Sequence, residues 1–212
     1  MSTSPNPKKK RLTTKKVVMA GLFSAVAGVL MCFEVPLLFL APSFYKLDLS
    51  EVPILILSFA YGPLAGVLCM FGKICVKLLI KGTTSAFVGE IADFAIGCTL
   101  VLPAGLVYKK HRTKKGAGIA CIAGTIIMAA VAAVVNAVYL LPAFSKMYGL
   151  PLEQILEMGK AVPGIGRFVG SVWSFVFVCV VPFNLVKGAV TSAVTMLLYK
   201  KLSPILKNAD QM

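Results

Sequence analysis

Apolar runs long enough to cross a lipid bilayer recur along this chain and limit what it can fold into. A transmembrane helix needs about 20 predominantly apolar residues, and runs of that order alternate here with short polar or basic segments. Charged residues make up only 14% of the 212 residues, against about 25% in soluble domains. We therefore predict an all-α integral membrane protein and not a water-soluble globule.

Six membrane spans follow from the apolar runs and the turns between them. The runs cover residues 17–41, 52–61, 63–80, 87–108, 117–144 and 171–199. Pro63 suits the first turn of a helix and so marks the start of the third span. The predicted domain organisation is a basic segment at 1–16, a six-helix membrane domain at 17–200 and a tail at 201–212.

The net charge of +14 is distributed in a way that indicates membrane topology. In a soluble protein such an excess of Lys and Arg would suggest nucleic acid binding, but these residues also collect in the cytoplasmic loops of membrane proteins. Most of the excess lies at 1–16, 109–115 and 200–212, which are the two ends and one loop. We therefore predict cytoplasmic N- and C-termini, contact with the lipid bilayer and no nucleic acid partner.

Polar side chains inside the predicted spans are the main clue to function. A charge at the centre of a span costs about 2.5–3.5 kcal/mol, so such groups usually face a cavity or one another. The set comprises Lys73 in span three, Glu90 and Asp93 in span four, Asn136 in span five, and Asn184 and Lys187 in span six. Because the spans alternate in direction, we expect these groups to meet in the outer half, with Phe94 and the aromatic residues of the first loop. Amides that bind a polar edge and rings that pack on flat faces suit a small planar polar ligand.

An alternative interpretation gives these groups only a structural role. Lys73 with Glu90, or Lys187 with Asp93, would then be buried ion pairs that fix the packing of the helices. Asn136 would hydrogen-bond between helices.

Two further lysines, Lys77 and Lys81, lie near the outer end of span three. Lysine keeps its apolar stem in the membrane while its ammonium group reaches water. We expect both side chains to extend to the outer interface and not to join the polar cluster.

Small residues form a row on the first span. Ala20, Ser24 and Gly28 repeat every four residues, with Gly21 and Ala25 beside them. Such a row lets another helix approach closely. The neighbour is either a helix of the same chain or a partner protein, and the spacing does not separate these alternatives.

Catalytic and metal-binding motifs are lacking in the sequence. Its one histidine, His111, lies in a basic loop, and there is no P-loop, zinc motif or nucleophile elbow. The glycines at 164, 166 and 170 do not have dinucleotide-binding spacing. The six cysteines lie in apolar stretches without a C-x-x-C pair, which is typical of buried hydrophobic cysteines. We expect no enzyme activity, no metal site and no cofactor.

Five segments in a fixed order resemble one family. They are Leu47 to Pro53 (LDLSEVP), Gly62 to Val67 (GPLAGV), Gly89 to Phe94 (GEIADF), Asn136 with Leu141 and Pro142, and Pro182 to Gly188 (PFNLVKG). The set resembles the substrate-binding S components of energy-coupling factor (ECF) transporters, and among these the riboflavin-binding ones.

The resemblance implies a function and a site. The chain would be a six-helix protein of the bacterial cytoplasmic membrane that captures riboflavin from outside and docks on a transmembrane coupling protein with two ATPases, which hydrolyse the ATP. Loops one and five would close over the ligand, and the loaded protein would tip within the membrane. By position, the family's ligand contacts fall on Tyr45, Lys46, Lys73, Glu90, Phe94, Asn136, Asn184 and Lys187. The row of Ala20, Ser24 and Gly28 would face the coupling protein.

Some positions depart from the family pattern, and other ligands remain open. Asp93 stands where the family usually has Asn, while Met70 and Ile74 replace an acid and an amide near Lys73. Alternative ligands are thiamine, pantothenate or another flavin such as FMN, whose phosphate Lys46 would attract. A membrane scaffold subunit without any ligand is the alternative of a different class.

Overall fold

A computed structural model describes residues 14–208. Residues 1–13 of the predicted basic segment and residues 209–212 of the predicted tail lie outside the described residues, whereas the predicted membrane domain at 17–200 lies within them. The described chain is mostly helical and carries one small hairpin. It contains α1 Thr14–Met31, β1 Val35–Pro36, β2 Lys46–Leu47, α2 Glu51–Tyr61, α3 Pro63–Lys81, α4 Val88–Lys110, α5 Lys114–Val135, α6 Leu141–Tyr148, α7 Leu152–Lys160, α8 Val172–Phe175 and α9 Val181–Asn208.

Four helical stretches in this part of the chain are long and apolar enough to cross a membrane. They are Pro63–Lys81, Val88–Lys110, Lys114–Tyr148 and Val172–Tyr199, while Lys16–Met31 and Glu51–Tyr61 are shorter apolar helices. All six predicted segments therefore contain a helix, and four of these helices have the length of a full span.

The first span is shorter than predicted. Helix α1 ends at Met31, and the rest of the apolar run at 32–41 leads into an antiparallel hairpin that pairs Val35 with Leu47. Pro36 lies in this run, and proline disfavours a helix interior because it lacks an N–H and clashes with the preceding turn. The hairpin folds residues 43–47 over the end of the bundle.

Two long helices are interrupted by a π-helical turn. Asn136–Leu140 separates α5 from α6, and Val176–Val180 separates α8 from α9. Each turn ends two residues before a proline, Pro142 or Pro182, whose missing N–H and bulky ring disturb the turn before it. Single π turns often lie at functional sites, and both of these lie at the end of the bundle that carries the hairpin.

The row of small residues Ala20, Ser24 and Gly28 on α1 is buried inside the chain. Ala20 and Ser24 are 8% and 6% exposed, and the Ser24 hydroxyl contacts the Cys69 carbonyl of α3 at 3.3 Å. A side chain at Gly28 would collide with Val76 of α3. The expectation that Ala20, Ser24 and Gly28 face a partner protein is therefore wrong, because close packing of α1 on α3 occupies this row.

The two ends of the bundle differ in what they hold. One end carries the hairpin, the turn between α3 and α4, and helices α6 to α8; we call it the cavity end, because the cavities described below open there. The opposite end carries the turn at Gly62, whose φ of 97° suits glycine, and the short connection at 111–113 between α4 and α5. Candidate site residues lie at the cavity end.

Candidate functional site

Two adjoining cavities open at the cavity end. The inner cavity has a volume of about 140 Å³ and the outer cavity about 330 Å³, compared with about 300–1,000 Å³ for ordinary ligand pockets. They share the wall residues Phe44, Lys46, Gly89, Asp93, Phe144 and Lys187. Because of this shared wall we treat them as one site with a deep part and a mouth.

Two asparagines supply amide groups to the inner cavity. Asn136 and Asn184 are 1% and 5% exposed, and both line the inner cavity. Their Nδ2 atoms donate to the carbonyls of Ala132 at 2.7 Å and Val180 at 2.9 Å. An amide nitrogen carries two N–H donors, so each side chain is fixed by one donor and keeps another for a ligand.

The hairpin contributes a tyrosine that holds one of these amides. The Tyr45 hydroxyl donates to Asn136 Oδ1 at 2.5 Å. Burial, together with the Cys179 thiol, raises the pKa of Tyr45 well above its usual value, so the hydroxyl stays protonated and remains a donor at any physiological pH. Asn136 therefore has a fixed orientation.

Aromatic rings form the apolar part of the wall. Phe44 lies 4.7 Å from Tyr45 and meets Phe144 edge to face at 5.6 Å. Phe183 lies 5.5 Å from Tyr45. These four rings give a flat apolar ligand surfaces on which to pack.

A buried charge network, formed by Asp48, Glu51, Lys73, Asp93 and Lys187, lies behind the cavity wall. Lys187 Nζ contacts Glu51 Oε1 at 2.8 Å, and Asp48 and Asp93 each at 3.6 Å. Lys73 Nζ contacts Asp93 Oδ2 at 2.8 Å and Glu51 Oε1 at 3.4 Å. Asp93 and Lys187 line both cavities and Asp48 lines the outer one, so the network presents two carboxylates and one ammonium group to a ligand.

Glu90 forms a second polar group in the outer cavity. Its Oε1 pairs with Lys77, and its Oε2 accepts hydrogen bonds from Ser85 at 2.7 Å and Thr83 at 3.2 Å. These contacts hold the turn between α3 and α4, where Phe87 has a φ of 67°. Lys77 is 6% exposed, so the expectation that it extends to the outer interface is wrong, because Glu90 binds it inside.

The outer rim consists of Glu34, Lys46 and Lys81. Glu34 Oε1 accepts from Lys46 at 2.8 Å and from Lys81 at 2.7 Å, which ties the hairpin to the end of α3. Burial alone would raise the pKa of Glu34, but the hydrogen bonds from the two lysines outweigh it and hold this pKa below its ordinary value. The rim therefore carries one positive charge in excess.

Six of the eight predicted ligand-site residues lie at the cavities. Five line the inner cavity, namely Tyr45, Lys46, Asn136, Asn184 and Lys187. Glu90 lines the outer cavity.

The other two predicted residues do not reach either cavity. Lys73 is completely buried and lies behind Asp93, which screens it from the ligand space. Phe94 follows Asp93 by one residue, a step of about 100° around a helix, and its ring packs edge to face on Phe71 at 6.4 Å. The proposed pair of Lys73 with Glu90 is also wrong, since each group has a nearer partner.

Several wall residues were not identified from the sequence. Phe144 lies about two turns after Asn136, and Phe183 directly precedes Asn184. Their positions next to the two asparagines are the signal that would have found them. Glu51, which lies in the charge network behind the wall, gives no such signal, because it lies at the start of α2, far in sequence from its lysine partners.

Comparisons with known proteins agree on one family. Residues 15–199 match the family model described as the ECF transporter, substrate-specific component. The chain is 31% identical over 195 residues to the riboflavin transporter FmnP of Bacillus subtilis (strain 168), covering 91% of this chain and 94% of that protein. It is also 31% identical over 193 residues to the riboflavin transporter RibU of Staphylococcus aureus (strain TCH60), covering 91% and 93%.

A solved structure gives the same result for the fold. The S component of a bacterial ECF transporter aligns with a TM-score of 0.69 and 32% identity, covering 91% of this chain and 98% of that chain.

Proposed function

The chain belongs to the substrate-specific components of ECF transporters, and on this basis we propose that it binds riboflavin in the two cavities. The observation that carries the proposal is the inner cavity, where Asn136, Asn184 and Lys187 lie among four aromatic rings. Relatives that match nearly the whole chain at 31% identity are riboflavin transporters. A transporter subunit that binds its substrate is not an enzyme.

The chemistry of the flavin matches this wall. Its ring system is flat and apolar on both faces, and one edge alternates carbonyl oxygens with an N–H group. Amide and ammonium donors of Asn136, Asn184 and Lys187 would bind the carbonyl oxygens, while Phe44 and Phe183 would pack against the faces. The hydroxylated chain of riboflavin would then extend into the outer cavity, where carboxylates and lysines bind hydroxyl groups.

The cavity end is proposed to face the outside of the bacterial cytoplasmic membrane. The opposite end carries the basic connection at 109–115, and lysines and arginines favour the cytoplasmic side. Six helical segments would then cross or enter the membrane, with both termini in the cytoplasm. Riboflavin would enter from outside and leave inside.

Delivery would depend on partner proteins, namely a transmembrane coupling protein and two ATPases. Since Ala20, Ser24 and Gly28 are buried, the proposed docking face of α1 is the neighbouring exposed one. It includes the small residues Gly21 and Ala25, which are both exposed. A bulky residue at Ala25 should impair uptake by cells while leaving riboflavin binding by the purified protein intact.

A phosphorylated flavin is the second candidate ligand. The rim has two lysines on one carboxylate, and Lys46 is 38% exposed at the mouth of both cavities. An anionic group at the end of the flavin's side chain would be attracted to this excess charge. Competition with FMN is therefore the measurement that best separates the two candidate ligands, riboflavin and a phosphorylated flavin.

The test is a titration of the purified protein with riboflavin, followed by quenching of flavin fluorescence. We expect quenching at submicromolar protein and its loss in a variant that combines Asn184→Ala with Lys187→Ala. Competition with FMN, thiamine and pantothenate ranks the ligands. No quenching at micromolar concentration by a correctly folded wild-type protein would contradict the proposal.

A further inference from the structure

One carboxylate governs the position of Lys187. Glu51 lies closest to its ammonium group, at 2.8 Å, whereas Asp48 and Asp93 lie at 3.6 Å. Charge-assisted hydrogen bonds are about 2.7–2.9 Å long, so only the contact with Glu51 has this length. An ammonium group has three N–H donors, and the contact with Glu51 therefore leaves donors for a ligand.

Glu51 cannot itself serve a ligand at this site. Its side chain is 1% exposed, and it lines neither cavity. It lies in the first turn of α2, where every residue from Glu51 to Phe59 is buried. The carboxylate is therefore held by a rigid element, whereas lysine has a flexible four-carbon stem.

Lys73 supports the same carboxylate from the other side. Its ammonium group contacts Glu51 Oε1 at 3.4 Å, the oxygen that also contacts Lys187. It also contacts Asp93 at 2.8 Å and donates to Ser50 Oγ at 3.1 Å. Lys73 thus compensates two of the three carboxylates that flank Lys187, Glu51 and Asp93, without lining either cavity.

We propose that Glu51, supported by Lys73, is a positioning residue that holds the Lys187 ammonium group in the orientation that binds the ligand. The proposal rests on the proposed function for the identity of the ligand, riboflavin, but the geometry of Lys187 is a property of the unliganded protein. It also assigns a role to Lys73 that requires no contact with the flavin.

A double-mutant cycle with riboflavin as the probe tests this inference. Because the ionised partner roughly doubles the strength of a hydrogen bond, we expect Glu51→Gln to weaken binding about tenfold and Lys187→Met about 100-fold. Residues that act through one another are not additive. The double variant should therefore bind about as weakly as Lys187→Met alone, at about 100-fold. Losses that multiply to about 1,000-fold would overturn the proposal.

Two further variants separate positioning from folding. Glu51→Asp keeps the charge but withdraws the carboxylate by one methylene, so it should give an intermediate loss of affinity in a protein that folds. Tyr199→Phe removes the hydroxyl contact with Tyr108 at 3.0 Å, at the opposite end, and should leave affinity unchanged. An unchanged affinity in both Glu51 variants would overturn the proposal.

The structure of the ligand-free Glu51→Gln variant tests the same inference without any flavin. We expect the Lys187 ammonium group to leave its place beside residue 51 and move toward Asp48 or Asp93. Lys187 in an unchanged position would overturn the inference. If the wild type fails to bind riboflavin, the proposed function fails, while this measurement still decides the role of Glu51.

Discussion

The cavity end and the opposite end are built from the same long helices but differ in their internal polar contacts. The described part of the cavity end holds five carboxylates and five lysines in ion pairs with one another, namely Glu34, Asp48, Glu51, Glu90, Asp93, Lys46, Lys73, Lys77, Lys81 and Lys187. At the opposite end, two buried contacts among the described residues join neutral groups. The Tyr108 and Tyr199 hydroxyls lie 3.0 Å apart, and Ser58 donates to the Val101 carbonyl at 3.4 Å.

Close packing replaces charge at the opposite end. A side chain at Gly105 would meet Ser58 and Pro63, and one at Gly116 would meet the His111 carbonyl. Buried charges cost several kcal/mol each unless they are paired, and a helix interface without charges avoids this cost. This difference supports the proposal that the charges at the cavity end serve a ligand, because helices of the same bundle pack closely at the opposite end through neutral contacts.

The largest expected effect separates the two ends on a single helix, α9. Asn184→Leu removes an amide donor and fills part of the inner cavity, so riboflavin affinity should fall about 100-fold. Thr191→Val, two turns along the same helix, is the matched control. Thr191 is completely buried, and its hydroxyl has no hydrogen-bond partner among the described residues. Titration of both variants should show a loss in the first only; equal losses would mean that the two ends do not differ in function.

The next effect concerns stability in the middle of the bundle, away from the cavities. Gly124→Ala should destabilise the protein by about 1–3 kcal/mol, because the added Cβ forces backbone of α4 and α5 apart. Gly118→Ala on the same helix is the control, since its Cβ would meet nothing nearer than 4.0 Å, and it should be neutral or stabilising. Thermal unfolding in detergent measures both. Riboflavin affinity of the folded Gly124 variant should equal that of the wild type.

The sequence predicted the deep part of the site better than its edges. Asn184 and Lys187 are three residues apart on one helix face, and alternation of the spans brings Asn136 to the same depth, so their meeting could be predicted. The hairpin could not, because residues 32–41 are as apolar as a membrane helix and only Pro36 and Glu34 interrupt them.

The ion pairs show why the partner of a buried charge is harder to predict than the depth of that charge in the bundle. Helices α3 and α4 are antiparallel, so the lysine nearer the turn, Lys77, meets the nearer acid, Glu90, and the deeper Lys73 meets the deeper Asp93. This ordering can be read from spacing once the turn is located at 82–87. Glu51 joins the network only through the packing of α2, which no spacing in the sequence reveals.

A smaller effect tests whether the hairpin belongs to the cavity end in function as well as in space. Tyr45→Phe removes the hydrogen bond to Asn136 Oδ1 while keeping the ring, so affinity should fall about fivefold, as for one neutral hydrogen bond. Unfolding temperature should change little. A loss of affinity as large as that of Asn184→Leu would contradict this prediction, because it would mean that more than one hydrogen bond is lost with the hydroxyl.

The smallest effect lies at the outer rim, where the charges are most exposed to solvent. The pKa of Glu34 is held below its ordinary value by hydrogen bonds from Lys46 and Lys81, against the opposing effect of burial. A depressed pKa means that the tether is complete above the ordinary pKa of the carboxyl group and is lost as pH falls through the lower value in the folded protein. Partly exposed ion pairs contribute at most about 1 kcal/mol, so riboflavin should dissociate at most about fivefold faster at a pH low enough to protonate Glu34 than at pH 7. Stopped-flow fluorescence measures this rate, and Glu34→Gln should dissociate at the faster rate at both pH values. A wild-type rate that changes between pH 7 and pH 5 would assign the effect to another group, because Glu34 remains ionised throughout that range.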